Sequence, residues 1–234
     1  MSIISAKNIT IEFPIFGVNS RSLKTSIVKS ITGGKILKEN SLVSIKAIDD
    51  VSFSLAPGDR IGLLGHNGSG ITTLLRAIAG VYIPSKGSLK VEGKVSSLLD
   101  IFLGMDMDAT GYENIITRGL IMGKTINEMK MLVDEIVDFS GIGDFLYMPM
   151  RTYSSGMAVR LAFATSTCFD ADIILMDEWL SVGDKDFKEK SVSRLTEFMD
   201  RAKIVIIASH EHKLIKKFAN KIIFLKHGRI ENID

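Results

Sequence analysis

The sequence predicts an α/β fold built on a mainly parallel sheet. Three observations predict it. A glycine-rich, phosphate-binding type of loop at residues 65–73 sits between a short apolar run and a helix-like segment. Further continuous apolar runs, at 173–176 and 204–208, have the length and character of strands buried on both faces. Helix-length segments alternate with these runs, as strand–helix–strand units require.

In chain order, residues 3–13 and 45–55 read as β-like runs. The stretch 14–46 between them lacks strong periodicity. It carries Arg21, Lys24, Lys29, Lys35, Lys38 and Lys46 against one acid, Glu39, and Gly33-Gly34 marks a break. It reads as an insertion, either a solvated surface excursion or an element facing a partner or a headgroup. Residues 60–64 give a buried strand, and 72–79 the helix after the loop, ending near Gly80. Residues 88–91 and 95–99 read as two strands separated by the hairpin signal Glu92-Gly93. From about Tyr112 the pattern turns helical. Ile115, Ile116, Leu120 and Ile121 would share one face, and Met129, Leu132, Val133, Ile136 and Val137 another. This helical subdomain spans about 101–168. Strand 173–176, helix 185–199, strand 204–208, helix 211–219 and strand 222–226 follow.

Composition bounds the function. The chain has 234 residues, 46% hydrophobic and 24% charged, enough apolar material for a sizeable core and too much for disorder. A net charge of +2 gives no support for a nucleic acid partner. No apolar run reaches the roughly 18–20 residues of a membrane span, and residues 1–7 lack the layout of a secretion signal. The single cysteine, Cys168, excludes an internal disulfide and reads as a buried helix residue. These features place the chain in the cytosol or on the cytosolic side of a membrane.

The loop Gly65-His66-Asn67-Gly68-Ser69-Gly70-Ile71-Thr72-Thr73 has its glycines and Thr72 in the register of G-x-x-x-x-G-K-[ST]. Ile71 stands where that motif has lysine. An apolar side chain cannot neutralise phosphate charge. The apolar run 173–176 ends in Asp177-Glu178, which places carboxylates at the carboxyl edge of a parallel sheet. Asp177 suits Mg²⁺ and Glu178 a general base that polarises water. Tyr153-Ser154-Ser155-Gly156-Met157 precedes a helix and offers hydroxyls and backbone N–H groups to an anion. His210 ends the run 204–209, positioned to bond a terminal phosphate, and Ser181-Val182-Gly183-Asp184 forms a turn after the acidic pair.

These residues carry a resemblance. The chain resembles the nucleotide-binding subunit of an ATP-binding-cassette (ABC) transporter along nearly its whole length. The resemblance makes 65–73 the Walker A loop, Asp177-Glu178 the end of Walker B, 154–157 the signature, Ser181–Asp184 the D-loop and His210 the switch histidine. It gives Phe13 the role of stacking on adenine. It implies a P-loop NTPase fold in one 1–234 ATPase domain: a RecA-like core, a small antiparallel β subdomain and an α-helical signature subdomain. It implies ATP and Mg²⁺ as cofactors, the metal held by Thr72, Asp100 and Asp177, and a head-to-tail homodimer.

The signature, the segment Ser97–Met105 and the run Ala109–Ile115 narrow the resemblance to exporters of O-antigen, capsular polysaccharide or teichoic acid. Asp100 would take the glutamine-loop role, linking phosphate and metal to the membrane partner. The implied partners are an ABC-2-type membrane permease and, through it, a lipid-linked polysaccharide. The subunit would sit on the cytoplasmic face of the inner membrane. Some such exporters carry a carbohydrate-binding domain after the cassette, and none is expected here. Two functional readings stand: an exporter ATPase impaired in hydrolysis by Ile71, or a catalytically silent nucleotide-binding module. A soluble cassette of translation or repair fits less well, because those carry two cassettes or a long coiled-coil insertion.

Overall fold

In the computed structural model of this chain, residues 2–15, 35–39, 42–177, 185–209 and 212–234 are described. The strands are β1 (Ile3–Ile15), β2 (Lys35–Glu39), β3 (Leu42–Leu55), β4 (Arg60–Gly65), β5 (Lys86–Glu92), β6 (Val95–Ser97), β7 (Ile173–Asp177), β8 (Ile204–Ala208), β9 (Lys221–Lys226) and β10 (Arg229–Ile233). The helices are α1 (Ile71–Ile78), α2 (Gly111–Ile121), α3 (Ile126–Ser140), α4 (Ser155–Thr167), α5 (Lys185–Arg201) and α6 (His212–Phe218). Two units emerge: described residues within Met1–Val95, Asp172–Trp179 and Lys203–Asp234, and those within Ser96–Ala171 and Leu180–Ala202.

The first unit holds the expected parallel sheet. Its order is β10-β9-β4-β8-β7-β6. β9, β4, β8 and β7 run parallel, and β10 returns antiparallel to β9. The strand interiors at 61–64, 173–176 and 204–208 are buried throughout, which is why they read as unbroken apolar runs rather than alternating ones. α6 packs on β4 at Gly62, where a Cβ would lie 2.2 Å from Ile215 Cγ2.

The second sheet of this unit is antiparallel, in the order β2-β3-β1-β5. Two expectations change here. The stretch read as a 14–46 insertion is partly sheet: β1 runs to Ile15, β3 starts at Leu42, and β2 pairs with it from Lys35↔Lys46 to Glu39↔Leu42. The hairpin expected across Glu92-Gly93 does not form. β5 pairs with β1, whereas the chain at Lys94 is captured by the strand end at Asp172, whose N–H and that of Ile173 both donate to Lys94 O. Gly93, at φ 120°, turns the chain from one sheet into the other.

The two sheets of the first unit meet at Asp49 on β3. Its carboxylate accepts from Lys46 Nζ at 2.9 Å and from Arg229 Nε at 2.8 Å, and its N–H donates to Gly228 O at 2.8 Å. Burial alone would raise the Asp49 pKa, but the Lys46 and Arg229 contacts outweigh it and hold the carboxyl below the usual range.

The second unit is helical. Thr110 and Thr125 accept from the backbones of Glu113 and Glu128, whose carboxylates accept in return, so α2 and α3 each start in a capping box. Its core joins Ile115, Met129, Val133, Ile136, Leu146, Leu161 and Phe169. Leu120 and Ile121, expected on the buried face of α2, are exposed. Ile115 of that face is buried, and its buried companions are Gly111, Asn114, Arg118 and Gly119. Gly119 lets Met129 approach: a Cβ there would lie 2.1 Å from its sulfur. Cys168 follows α4 as a part-buried residue, and burial pushes its thiol up to about 12.

The Asp49 cluster sets an acid limit. A carboxylate with a depressed folded pKa stabilises the fold above the unfolded value of about 3.9 and loses that contribution as pH falls through the folded value. Asp49→Asn is expected to lower stability by about 1–3 kcal/mol at pH 7, and by progressively less below about pH 4. Urea melts of both proteins between pH 7 and pH 3 measure this; a pH-independent difference would count against it.

Candidate functional site

β4 delivers the chain to Gly65, and α1 carries it away from Gly70. Between them the loop closes on itself: the Ser69 N–H donates to His66 O at 2.9 Å. The loop is pinned from outside, because the Gly228 N–H donates to Ser69 O at 2.8 Å. Gly70 has φ 103° and Gly228 φ 78°, and Cβ atoms there would lie 2.5 and 2.6 Å from Ala47 O. The phosphate loop, the β9–β10 turn and β3 thus approach within backbone contact.

The start of α1 is open. Its N-cap Gly70 provides no side-chain cap and its first turn holds no acid. α2, α3 and α4 are each capped by their own Thr110, Thr125 and Ser154. First-turn N–H groups have no partner within a helix, so those of Ile71, Thr72 and Thr73 are donors available to a ligand. They border a cleft of about 330 Å³ lined by residues 65–73 with Ile45, Ala47, Asp177, Ala208 and Ser209. A helix N-terminus presenting unused N–H groups to a cleft is an anion site.

The cleft sits at the carboxyl edge of the parallel sheet, where α/β folds bind ligands. There Thr72 Oγ1 donates to Asp177 Oδ2 at 2.8 Å. A hydroxyl and a carboxylate this close form a pair of hard oxygen donors of the kind Mg²⁺ takes, with phosphate and water completing its shell. No lysine or arginine is among the described lining residues. Ile71 is part of the wall, and Lys46, the basic neighbour of Ala47, is committed to Asp49. His66 is exposed on the loop with its ring 4.7 Å from that of His227.

Gly65, His66, Asn67, Gly68, Ser69, Gly70, Ile71, Thr72, Thr73 and Asp177 therefore line one cleft. Phe13 lies across the ladder from Ile45, and its ring meets Tyr82 edge-on at 5.1 Å; the cleft wall at that end is Ile45. Glu178, Asp184 and His210 lie outside the described residues.

In the second unit, Ser154 caps α4 by accepting from the Met157 N–H at 3.2 Å. Ser155 is exposed, and a Cβ on Gly156 would meet only Ser154 Oγ, at 4.0 Å. Among the described residues, packing does not explain that glycine, and the space above it is open. Asp100 is exposed and caps its own turn, accepting from the Phe102 N–H at 3.0 Å.

Ile45, Ala47, Ser209 and Gly228 were not expected at the site. The signal for Gly228 was present in His227-Gly228, a turn dipeptide between the run 222–226 and the alternating residues after it. Ile45 and Ala47 reach the cleft only through the packing of β3 and carry no local signal.

A family model described as ABC transporter matches residues 48–181. The chain is 42% identical over 231 residues to the O-antigen export system ATP-binding protein RfbE of Yersinia enterocolitica, covering 98% of this chain and 97% of that protein. It is 40% identical over 185 residues to the teichoic acids export ATP-binding protein TagH of Bacillus anthracis, covering 79% of this chain and 34% of that longer protein. Among solved structures, a dimeric ATP-binding cassette in a post-hydrolysis state, bound to ADP and Pi, superposes with a TM-score of 0.70 at 20% identity, over 99% of this chain and 97% of that one. At that identity the likeness concerns the fold.

Gly228→Ala tests the three-way backbone contact. A left-handed φ combined with a Cβ against Ala47 O is expected to cost about 1–3 kcal/mol of stability. It should also weaken binding of inorganic triphosphate by displacing Ser69. Thermal denaturation and titration calorimetry read the two effects; an alanine variant equal to the parent in both would refute the contact.

Proposed function

The chain belongs to the ABC transporter family, and from that premise we propose that it is the ATP-binding subunit of an exporter for a lipid-linked polysaccharide of the O-antigen or teichoic acid class. The observation that carries the reading is the cleft: an uncapped helix N-terminus beside the Thr72–Asp177 oxygen pair. The triphosphate of ATP lies along residues 65–73, held by backbone N–H groups. Thr72 and Asp177 and, on the family resemblance, Asp100 would hold Mg²⁺, which would supply neutralisation of phosphate charge. Glu178 orients and deprotonates the attacking water, His210 bonds the terminal phosphate, and Phe13 faces the base. Ser154, Ser155, Gly156 and Met157 serve the cleft of a second copy, and Asp184 contributes at the same interface. The open space above Gly156 supports that assignment.

The motive step lies in a membrane partner, an ABC-2-type permease; similarity to ATP-binding proteins of export systems supports this. The subunit works at the cytoplasmic face of the inner membrane. Phe102, Leu103 and Met107 are exposed beside Asp100, while Ile101 is buried. The segment thus splits into an anchor and an apolar surface, which supports it as the docking site. A second reading, a nucleotide-binding module without turnover, is favoured by one feature: Ile71 leaves the described cleft lining without a cation.

Turnover separates the two. A preorganised electrostatic contact is worth about 10²–10³ in rate. Ile71→Lys is therefore expected to raise ATP hydrolysis by at least about 10²-fold. Equal turnover in the chain as written and in Ile71→Lys would rule out impairment at this position. Phe102→Asp is expected to abolish co-purification with the permease while circular dichroism stays unchanged. Retained co-purification, or loss of the helical signal, would reject that docking surface.

A further inference from the structure

β5 pairs with β1 from Ile3↔Glu92 to Thr10↔Lys86, and beyond Thr10 the segment ahead of β5 takes that side of β1. There the Ser85 N–H donates to Thr10 O at 2.7 Å, and the Glu12 N–H donates to Ser85 Oγ at 3.2 Å. Pinned at Ser85, this segment passes the end of β1. It leaves two aliphatic side chains in water: Val81 and Ile83 are 63% and 88% exposed. Tyr82 between them is half-buried, and its ring meets that of Phe13 at 5.1 Å with an interplanar angle of 74°.

Phe13 belongs to the cleft face of the β1–β3 pair. Residues directly opposite in an antiparallel ladder point to the same side of the sheet, as do residues two apart on one strand. Phe13 is opposite Ile45, and Ile45 and Ala47 both line the cleft. The wall thus continues from Ala47 through Ile45 to the Phe13 ring, and Tyr82 stands edge-on to that ring.

The Tyr82 segment is also tied to α1. The Val81 N–H donates to Arg76 O at 2.8 Å, and Arg76 Nη1 comes within 3.5 Å of the Tyr82 hydroxyl. Arg76 lies in the last turn of α1, whose first turn borders the phosphate cleft. A helix about 12 Å long therefore has the phosphate site at one end and the Tyr82 segment at the other. Aromatic quadrupoles favour an edge-on pairing, which fixes the tilt of each ring. A ring that stacks on a flat base must keep its tilt.

We propose that Tyr82 is a positioning residue for the base of the nucleotide. It holds the Phe13 ring at the tilt on which a planar heteroaromatic base stacks, and it refers that ring to the helix that receives the phosphates. The inference rests on the reading of Phe13 given above. Tyr82 acts through Phe13. Its ring rather than its hydroxyl carries the effect, because the Arg76 contact is longer than an ordinary hydrogen bond.

ADP and inorganic pyrophosphate, each with Mg²⁺, separate the two ends of the nucleotide, because pyrophosphate has no base. Titration calorimetry on the Ile71→Lys protein reads both affinities without turnover. Phe13→Ala tests the base reading: ADP affinity should fall and pyrophosphate affinity should not. Tyr82→Ala and Tyr82→Leu should each lower ADP affinity by about 3–10-fold with pyrophosphate unchanged. Tyr82→Phe should match the parent, and Phe13→Ala combined with Tyr82→Ala should fall no further than Phe13→Ala alone. Tyr82→Leu keeps the apolar bulk and decides if Tyr82→Ala does not fold. A loss with Phe13→Ala but none with Tyr82→Leu overturns the positioning and leaves the base reading standing. No loss with Phe13→Ala overturns the base reading and the positioning with it. Additive losses in the double variant overturn the positioning by giving Tyr82 its own contact with the base. Equal losses of ADP and pyrophosphate overturn it by making Tyr82 a support of the fold alone.

Discussion

Three backbone segments in the first unit come closer than any side chain allows. The Ala47 carbonyl, the Ser69–Gly70 corner and the Gly228 turn share a space in which a Cβ at either glycine would overlap the carbonyl oxygen. The shape of the phosphate loop follows from this contact. So do the opening of the α1 N-terminus to the cleft and the placing of Ile45 and Ala47 in its wall. Asp49 secures the same junction electrostatically, joining Lys46 of one sheet to Arg229 of the other while its N–H holds Gly228. One cluster therefore sets the loop geometry and unites the two sheets.

Among the described residues, the lining of the cleft offers an anion backbone N–H groups and no lysine or arginine. A helix N-terminus supplies about half a positive charge, spread over N–H groups that also fix direction. That suffices to cradle phosphate. It is a weaker counter to charge that grows on a terminal phosphate during transfer, where a lysine would supply a full unit. On the proposed reading, substitution at position 71 acts differently on binding and on chemistry, because backbone N–H groups serve the first more than the second.

The parallel sheet and the phosphate loop were legible because fully buried strands and a glycine nest leave local signatures. Runs such as 204–208 admit few other readings, and Asp177 is placed by the strand it ends. Several features were not legible. The hairpin reading at Glu92-Gly93 failed because a turn dipeptide says nothing about which sheet receives the next strand, and Asp172 decides that from 78 positions away. The face of α2 was misread because apolar periodicity assumes an apolar core, whereas Asn114 and Arg118 are buried for their hydrogen bonds and charge. Leu120 and Ile121 are exposed as a result. β2 was hidden in a lysine-rich stretch, and Ile45 and Ala47 join the cleft only through tertiary packing.

The junction at Gly228 also fixes when the site can exist. Ser69 emerges early from a ribosome, yet the turn that clamps it lies 159 positions later, and Arg229 meets Asp49 across 180 positions. Contacts so distant along the chain form late. The greater part of the helical unit, Ser96–Ala171, is continuous in the chain and precedes all of these partners. The phosphate loop waits, with β4 lacking its parallel neighbours β8 and β9, until residues 204–228 have been made. A nascent chain therefore has its helical segment long before it has the clamp on its phosphate loop.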